Sequence, residues 1–421
     1  PAAGIGYDPA MRVHAFRGYR FSTGAGDPGR LAAPPFDQID PALAERLRAR
    51  SPHQFAHLTR PAGDSSGERA RRAAALHGEW LRAGAVIRDP RPALYLYDIE
   101  LADGGRRLGL CCLVGIEPPG SDRIRPHEHT VAKTVAERLE LLETLRVDLE
   151  PIFLLSDDPG SLERLLREEC ERARPVAEHE DPDGHRHRIS PIDDPDRIGA
   201  YQEALDGVGS VIADGHHRYR VAQLYAEQSG ARADAAAGAK LVVVTSVRSP
   251  GVTIDPIHRL LPHPFDPAPE SGVVARRGWE GRGGGAFAAA VAAAEQPARG
   301  VWRSGARPEI WRLDPRQGPA HLAPAASRLS VVLFHDPLLK AAGYEKASAT
   351  DGTVLYRSDP EELWAAVAAD QGATGFWLPP MPADAFAAAV AQGDLLPPKS
   401  TRFLPKLASG LVWCGHDTEI A

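Results

Sequence analysis

The stretch Val211-Ile212-Ala213-Asp214-Gly215-His216-His217-Arg218-Tyr219-Arg220-Val221-Ala222 joins a short apolar strand to a helix and places two histidines and two arginines at the joint. A helix start offers backbone N–H groups with no intrahelical partner, together with the positive end of the helix dipole. Gly215 lets the chain turn sharply and approach a ligand closely. Arg218 and Arg220 carry guanidinium forks that match phosphate oxygens, while His216 and His217 can donate hydrogen bonds or transfer protons. At most isolated turns such residues simply face water. Four basic or titratable side chains within five positions beside a glycine read instead as an anion site.

Composition bounds what surrounds this turn. The chain has 421 residues, 43% hydrophobic and 25% charged, enough for a sizeable core and two or three domains. A net charge of −7 and a pI near 6.2 argue against a chain-wide basic surface for nucleic acid and leave room for a local basic pocket. The four cysteines (Cys111, Cys112, Cys170 and Cys414) form neither a disulfide framework nor paired zinc spacing, which suits thiols in a reducing cytoplasm. No secretory leader pattern and no apolar run of membrane-spanning length is present, so a cytoplasmic protein without a membrane partner is expected.

Working outward, the punctuation of the chain predicts an α/β protein with mixed sheets. Pro41 opens a helix after Asp40, with Leu43 and Leu47 inward, and Glu68 to Ala83 reads as a second helix. Ala93 to Ile99 and Leu108 to Ile116 read as strands joined through Asp103-Gly104-Gly105. Thr134 with Glu137 matches a capping box at the head of a helix carrying Val135, Leu139 and Leu142. Pro151 to Leu155, Val211 to Ala213 and Leu241 to Val247 read as strands, Glu178 to Arg188 as a charged loop, and Gly230 as the stop of the helix that begins near His216. Pro262 to Gln317 reads as a Pro/Gly-rich boundary with an Ala-rich helix near Ala286 to Glu295. Gly281 to Gly285 lacks the Gly-Lys-Ser/Thr ending of a phosphate loop and reads as linker. Beyond it, Val331 to Phe334, Thr353 to Tyr356, Gly375 to Leu378 and Leu411 to Cys414 read as strands, with helices at Pro360 to Asp370 and Ala383 to Gln392. Three segments are expected: an N-terminal α+β segment at 1–120, a nucleotide-binding core at 121–260 and a C-terminal α/β segment at 261–421.

A second constellation is Pro126-His127-Glu128-His129-Thr130. A carboxylate flanked by imidazoles suits a general base or a ligand of a divalent cation. It is not His-Glu-x-x-His, so the second zinc ligand one helical turn on is missing, and Glu128 equally well favours a nearby helix N-terminus. His179, His185 and His187 with Glu178 and Glu180 fall in a polar stretch that reads as solvated loop rather than a metal site.

The order Pro126-His127-Glu128, amphipathic helix, Glu150-Pro151-Ile152, variable loop, Asp214-Gly215-His216-His217-Arg218 resembles the ParB/sulfiredoxin superfamily and, within it, the free serine kinases. Most of the chain also resembles the family catalogued as domain of unknown function 1015. The marks of that family are Phe16-Arg17-Gly18, Ala33-Pro34-Pro35-Phe36-Asp37, His127-Glu128-His129-Thr130, Asp214 to Tyr219, Pro256-Ile257-His258-Arg259 and Pro398-Lys399-Ser400-Thr401. Two departures stand out: Phe36 replaces the usual tyrosine, and Pro397-Pro398 precedes Lys399.

The resemblance implies a ParB/sulfiredoxin-like core that binds ATP or ADP and transfers a phosphoryl group to the hydroxyl of free L-serine or a related hydroxy amino acid. It implies Glu128 as base, with His127 and His217 beside it in the chemistry, and Asp214, Gly215, His216, His217 and Arg218 around the nucleotide phosphates bridged by Mg²⁺. Asp214, acidic beside phosphate, is expected to bind Mg²⁺ or to hold His216 and Arg218. Phe36, Asp37, His258, Arg259, Lys399, Ser400 and Thr401, with the loop running on to Lys406, are expected to contact substrate or phosphate, and Phe36, His53 and Tyr219 to shape an acceptor pocket. Such chemistry rests on positioning and charge balance. Two rivals are a phosphotransferase acting on another small hydroxyl compound and a ParB-like nucleotide switch without turnover. The acidic net charge and the lack of a helix-turn-helix segment disfavour the DNA-clamp form of the switch.

Overall fold

A computed structural model describes residues 11–128, 130–232, 234–265, 272–340, 353–390 and 393–421. The fold is mixed α/β and divides into two units. The first draws on residues 1–126, 130–252 and 405–421, the second on 127–129 and 253–404.

The first unit is built on a nine-stranded sheet of β1 (Val13–His14), β2 (Leu94–Glu100), β3 (Arg106–Gly115), β4 (Ile124–Arg125), β5 (Ile152–Ser156), β6 (Ala177–Glu180), β7 (Arg186–Ile192), β8 (Ser210–Asp214) and β9 (Ala239–Ser246). Their order is β4-β8-β5-β9-β3-β2-β7-β6, with β1 paired to β3. β4 runs parallel to β8 and β5 parallel to β9, and the other pairs are antiparallel. β9 is apolar on both faces through Leu241-Val242-Val243-Val244 and buried along its whole length, as its place between β5 and β3 requires. Helices α1 (Ser66–Arg82), α2 (Ala132–Leu145), α3 (Ser161–Arg172), α4 (Pro195–Leu205) and α5 (His216–Ser229) accompany the sheet. Leu162, Leu166, Tyr201 and Leu205 pack against Leu96, Leu110, Leu154, Val242 and Val244 in one core. Segments 1–120 and 121–260 thus contribute strands to the same sheet.

Two local expectations change here. Glu178 to Arg188 is a hairpin, β6 with β7, rather than a loop. Its polar residues alternate, so His179 and His187 are buried while Arg188 spans Glu178, Asp98 and Glu100 across the strands. Helix α2 starts at Ala132 rather than at a Thr134 cap, and the Val131 N–H at its head donates to the His217 ring at 2.8 Å.

The second unit has a six-stranded antiparallel sheet of β10 (His258–Leu261), β11 (Val273–Gly278), β12 (Ala298–Arg303), β13 (Glu309–Leu313), β14 (Leu355–Arg357) and β15 (Thr374–Trp377), in the order β11-β13-β12-β15-β10-β14. α6 (Gly284–Ala292) and α7 (Pro360–Ala369) cover one face, where Phe287, Val291, Leu363 and Val367 meet Leu260, Ala298, Ile310 and Trp377. The stretch read as a boundary therefore holds three strands. Gly300 in it serves packing: a Cβ there would stand 2.7 Å from Val291 and 2.8 Å from Phe287. The N–H groups of Gly284 and Gly285 donate to the Glu361 carboxylate at 3.0 and 2.8 Å, so this helix start is already capped.

Val331 to Phe334 is helical rather than a strand, since a four-residue apolar run carries no period that decides between the two. The helix read as Ala383 to Gln392 runs over Ala383–Val390, and 391–392 lie outside the described residues. Among the described residues no helix is long and apolar enough to cross a membrane.

Candidate functional site

Strand β8 delivers Asp214 to the turn, and Gly215 reverses the chain with φ +99° into α5. A Cβ there would lie 2.6 Å from Ile152 Cγ2, so both the backbone conformation and the contact with β5 demand glycine. The N-cap of α5 is Gly215, which has no side chain of its own to cap the first turn, and the dipole end of the helix follows directly on it.

Asp214 is the organising group. Lys406 Nζ donates to its Oδ1, and Arg218 Nη2 donates to its Oδ2 at 2.7 Å. Burial pushes the Asp214 carboxyl up, but Lys406, Arg218 and His216 outweigh it and hold the group down at about 2. Arg218 Nη1 donates to the Pro151 carbonyl, so both terminal nitrogens of this side chain are engaged by protein acceptors. The charges of Glu150, Asp214, Asp37 and Asp148 keep its guanidinium protonated against burial. Lys406 is steadied by its neighbour, whose carbonyl accepts from Arg107 Nη2 at 2.6 Å.

A second ionic layer adjoins the turn. Lys240, 2% exposed, donates to both oxygens of Asp148 at 2.5 and 2.6 Å and to the Glu150 carbonyl at 2.8 Å. Glu150 Oε1 accepts the Phe36 N–H and the Ser409 hydroxyl, each at 2.9 Å. The Phe36 ring lies 4.4 Å from the Arg138 guanidinium and 5.3 Å from that of Arg60. Arg138, Arg218, Lys240, Asp148 and Glu150 line a cavity of about 60 Å³.

The first unit thus brings together Phe36, Asp37, Glu150, the 214–218 turn and Lys406. His217 Nε2 is engaged by the Val131 N–H. Tyr219 is buried with its hydroxyl accepting the Glu117 N–H at 3.0 Å, and His53 Nδ1 contacts the Ala25 carbonyl at 2.9 Å. Asp214 does not fit a Mg²⁺ ligand, because both carboxylate oxygens are occupied by cations.

The second unit gathers the other motifs. His127 is fully buried, shares a hydrogen bond with Thr401 Oγ1 at 2.8 Å, and lies edge-on to Phe386 and Phe403. The Glu128 carboxylate approaches His127 Nε2 at 4.0 Å, and its charge acts on Arg259. Arg259 donates to the carbonyls of Ile257, Lys399 and Pro398, His258 Nδ1 accepts the Leu378 N–H, and Ser400 Oγ donates to the Pro397 carbonyl. His129 lies outside the described residues.

Asp181, Asp183 and His185 have ligand atoms within 4.8 Å of one another. Asp181 already accepts the N–H groups of Asp183 and His185 and contacts His187, as a hairpin turn requires.

Sequence reasoning missed Lys240 and Asp148 and did not single out Lys406 within its basic loop. Only Lys240 carried a signal: an ammonium inside an apolar strand run needs a buried carboxylate.

The family model described as "Protein of unknown function (DUF1015)" matches residues 13–274, more than half of the chain. The chain belongs to that family. This DUF1015 protein matches none of the curated proteins. Among solved structures it is similar to a conserved hypothetical protein from Pyrococcus furiosus, with 13% identity, 72% of this chain and 95% of that one covered, and a TM-score of 0.34. SbnI with a C-terminal truncation from Staphylococcus aureus is similar at 12% identity, with 70% and 83% covered and a TM-score of 0.35. Free serine kinase in complex with AMP is similar at 13% identity, with 72% and 92% covered and a TM-score of 0.35. At such scores the likenesses carry no argument about activity.

Two outcomes follow for the DUF1015 turn. Gly215→Ala lowers unfolding stability by about 2 kcal/mol or more, read by urea denaturation, because alanine disfavours this φ and meets Ile152. Asp214→Asn lowers stability by about 3 kcal/mol at neutral pH, by leaving two cations around a neutral amide. The folded pKa of Asp214, about 2, lies below the unfolded value of about 3.9. Its contribution is therefore complete above about pH 5 and is lost as pH falls through about 4 to 2. The gap between wild type and Asp214→Asn accordingly narrows over that range in melts recorded against pH.

Proposed function

We propose that this DUF1015 protein binds the phosphates of ATP or ADP at the 214–218 turn and transfers a phosphoryl group to the hydroxyl of a small acceptor, free L-serine or a related hydroxy amino acid. The observation that carries the reading is the turn itself: a helix start whose N-cap is Gly215, held at a φ that favours glycine, with the Lys406 ammonium fixed on Asp214 beside it. Backbone N–H groups and a fixed ammonium are what a phosphate needs, and water at that position would have to be reorganised at each turnover.

Roles shift from those the resemblance alone implies. Asp214 and Arg218 are positioning residues: the carboxylate places Lys406, and the guanidinium ties the turn to Pro151. Lys406 and the head of α5, with His216, meet the phosphate. His217 fixes the start of α2.

The base is assigned on the resemblance: Glu128 accepts the hydroxyl proton as the acceptor oxygen bonds to phosphorus and the nucleotide oxygen leaves. His127, held by Thr401, positions that carboxylate.

The test is incubation of the protein with ATP or ADP and a panel of hydroxy amino acids, followed by mass spectrometry of the products. Acceptor-dependent formation of a phosphorylated hydroxy amino acid, reduced about a hundredfold or more in Glu128→Gln, is expected. Nucleotide binding with no acceptor-dependent product would sink the transferase reading in favour of a switch.

A further inference from the structure

Among the described residues, the second unit carries a buried cation with no counter-charge. On β12, Ala298 faces the core under α6, and the alternation of the strand sends Arg299 to the opposite face. Arg299 is fully buried, and its Nε, Nη1 and Nη2 all lack a hydrogen-bond partner. Its guanidinium lies 5.3 Å from the centroid of Phe334, whose ring packs on Phe376 at 4.9 Å. Burial alone acts on its pKa, lowering it to about 9, with no carboxylate opposing. Next in sequence to Phe334, His335 is half-buried, its Nε2 is buried without a partner among the described residues, and desolvation with the charges of Arg259 and Arg299 keeps its imidazole neutral.

Arg259 on the same face is provided for. It has three carbonyl acceptors, the Tyr356 ring at 5.2 Å and the field of Glu128. Arg299 has none of these. A ring face attracts a cation but accepts no guanidinium hydrogen bonds in the fork plane, and buried charges in native proteins are paired. The deficit is one negative charge and several acceptor lone pairs.

We propose that Arg299, with His335 beside it, is the receptor for the carboxylate of a small monoanionic metabolite. The guanidinium fork matches a carboxylate bidentately, and neutral His335 is able to donate one further hydrogen bond. A single uncompensated charge calls for a monoanion, and the aromatic walls of Phe334 and Phe376 suit a planar group. The same unit holds a cavity of about 590 Å³ whose lining includes Pro297, two residues before Arg299, and Val331, three before Phe334. The inference stands on the second unit alone and does not depend on nucleotide binding.

The probe is sodium acetate against sodium chloride at equal ionic strength, with inorganic phosphate as a third arm, on the full chain. Melting is followed by tryptophan fluorescence, because Trp279, Trp302, Trp311, Trp364 and Trp377 all belong to this unit. Acetate raises the wild-type transition by about 5 °C when present a hundredfold above its Kd. Arg299→Met melts higher than wild type in chloride, since an apolar side chain replaces an unpaired buried charge, and does not respond to acetate. If Arg299→Met fails to fold, Arg299→Lys, which keeps the charge and loses the fork, needs at least tenfold more acetate for the same shift. No acetate response in the wild type overturns the proposal, as does an Arg299→Met response equal to that of wild type. Stabilisation by phosphate without any by acetate overturns the carboxylate assignment.

Discussion

Asp214 joins two cations that the sequence places far apart, Arg218 one helical turn on and Lys406 192 residues on. Much of the first unit depends on that junction. The Pro405–Ala421 segment returns to the sheet through Lys406, the Pro405 carbonyl on Arg107, the Ala408 N–H on Tyr97 and the Ser409 hydroxyl on Glu150. Removing the carboxylate would leave two mostly buried cations repelling each other at the head of α5. That cost explains why an acidic residue stands at a turn otherwise suited to anions.

Neighbouring charges repeat the arrangement. Lys240 with Asp148, and Arg138 with the Thr59 carbonyl near Glu150, place the strongly buried cations of this region against an anion or a carbonyl. Arg299 in the second unit departs from that rule, which is why it reads as half of an interaction.

The sequence made the central elements legible wherever local chemistry decided the outcome. β8, Gly215, α5 and its Gly230 stop, and the β-branched β9 all follow from short-range signals, and the observed bounds differ from the expected ones by one or two residues. Long-range partners were not legible. His217 looks like a phosphate donor in sequence because nothing local shows that its ring serves the Val131 N–H, 86 residues away. Arg218 likewise looks free to grip a ligand until Pro151 and Asp214 occupy its terminal nitrogens. The glycines of the 262–317 stretch suggested a linker, since composition does not distinguish a glycine that turns from one, like Gly300, that lets a helix lie close on a sheet. The role of Phe36 was hidden for the same reason: its ring meets guanidinium groups from Arg60 and Arg138, distant in the chain.

The central claim is that the head of α5 with Lys406 receives nucleotide phosphates. Isothermal titration of ADP into wild type and Lys406→Met tests it most directly, with urea unfolding of both to establish that the variant is folded. One charge-assisted hydrogen bond to phosphate is worth about 1.5–3 kcal/mol, so the account predicts binding at least tenfold weaker in Lys406→Met. Equal ADP affinity in the two folded proteins would contradict it.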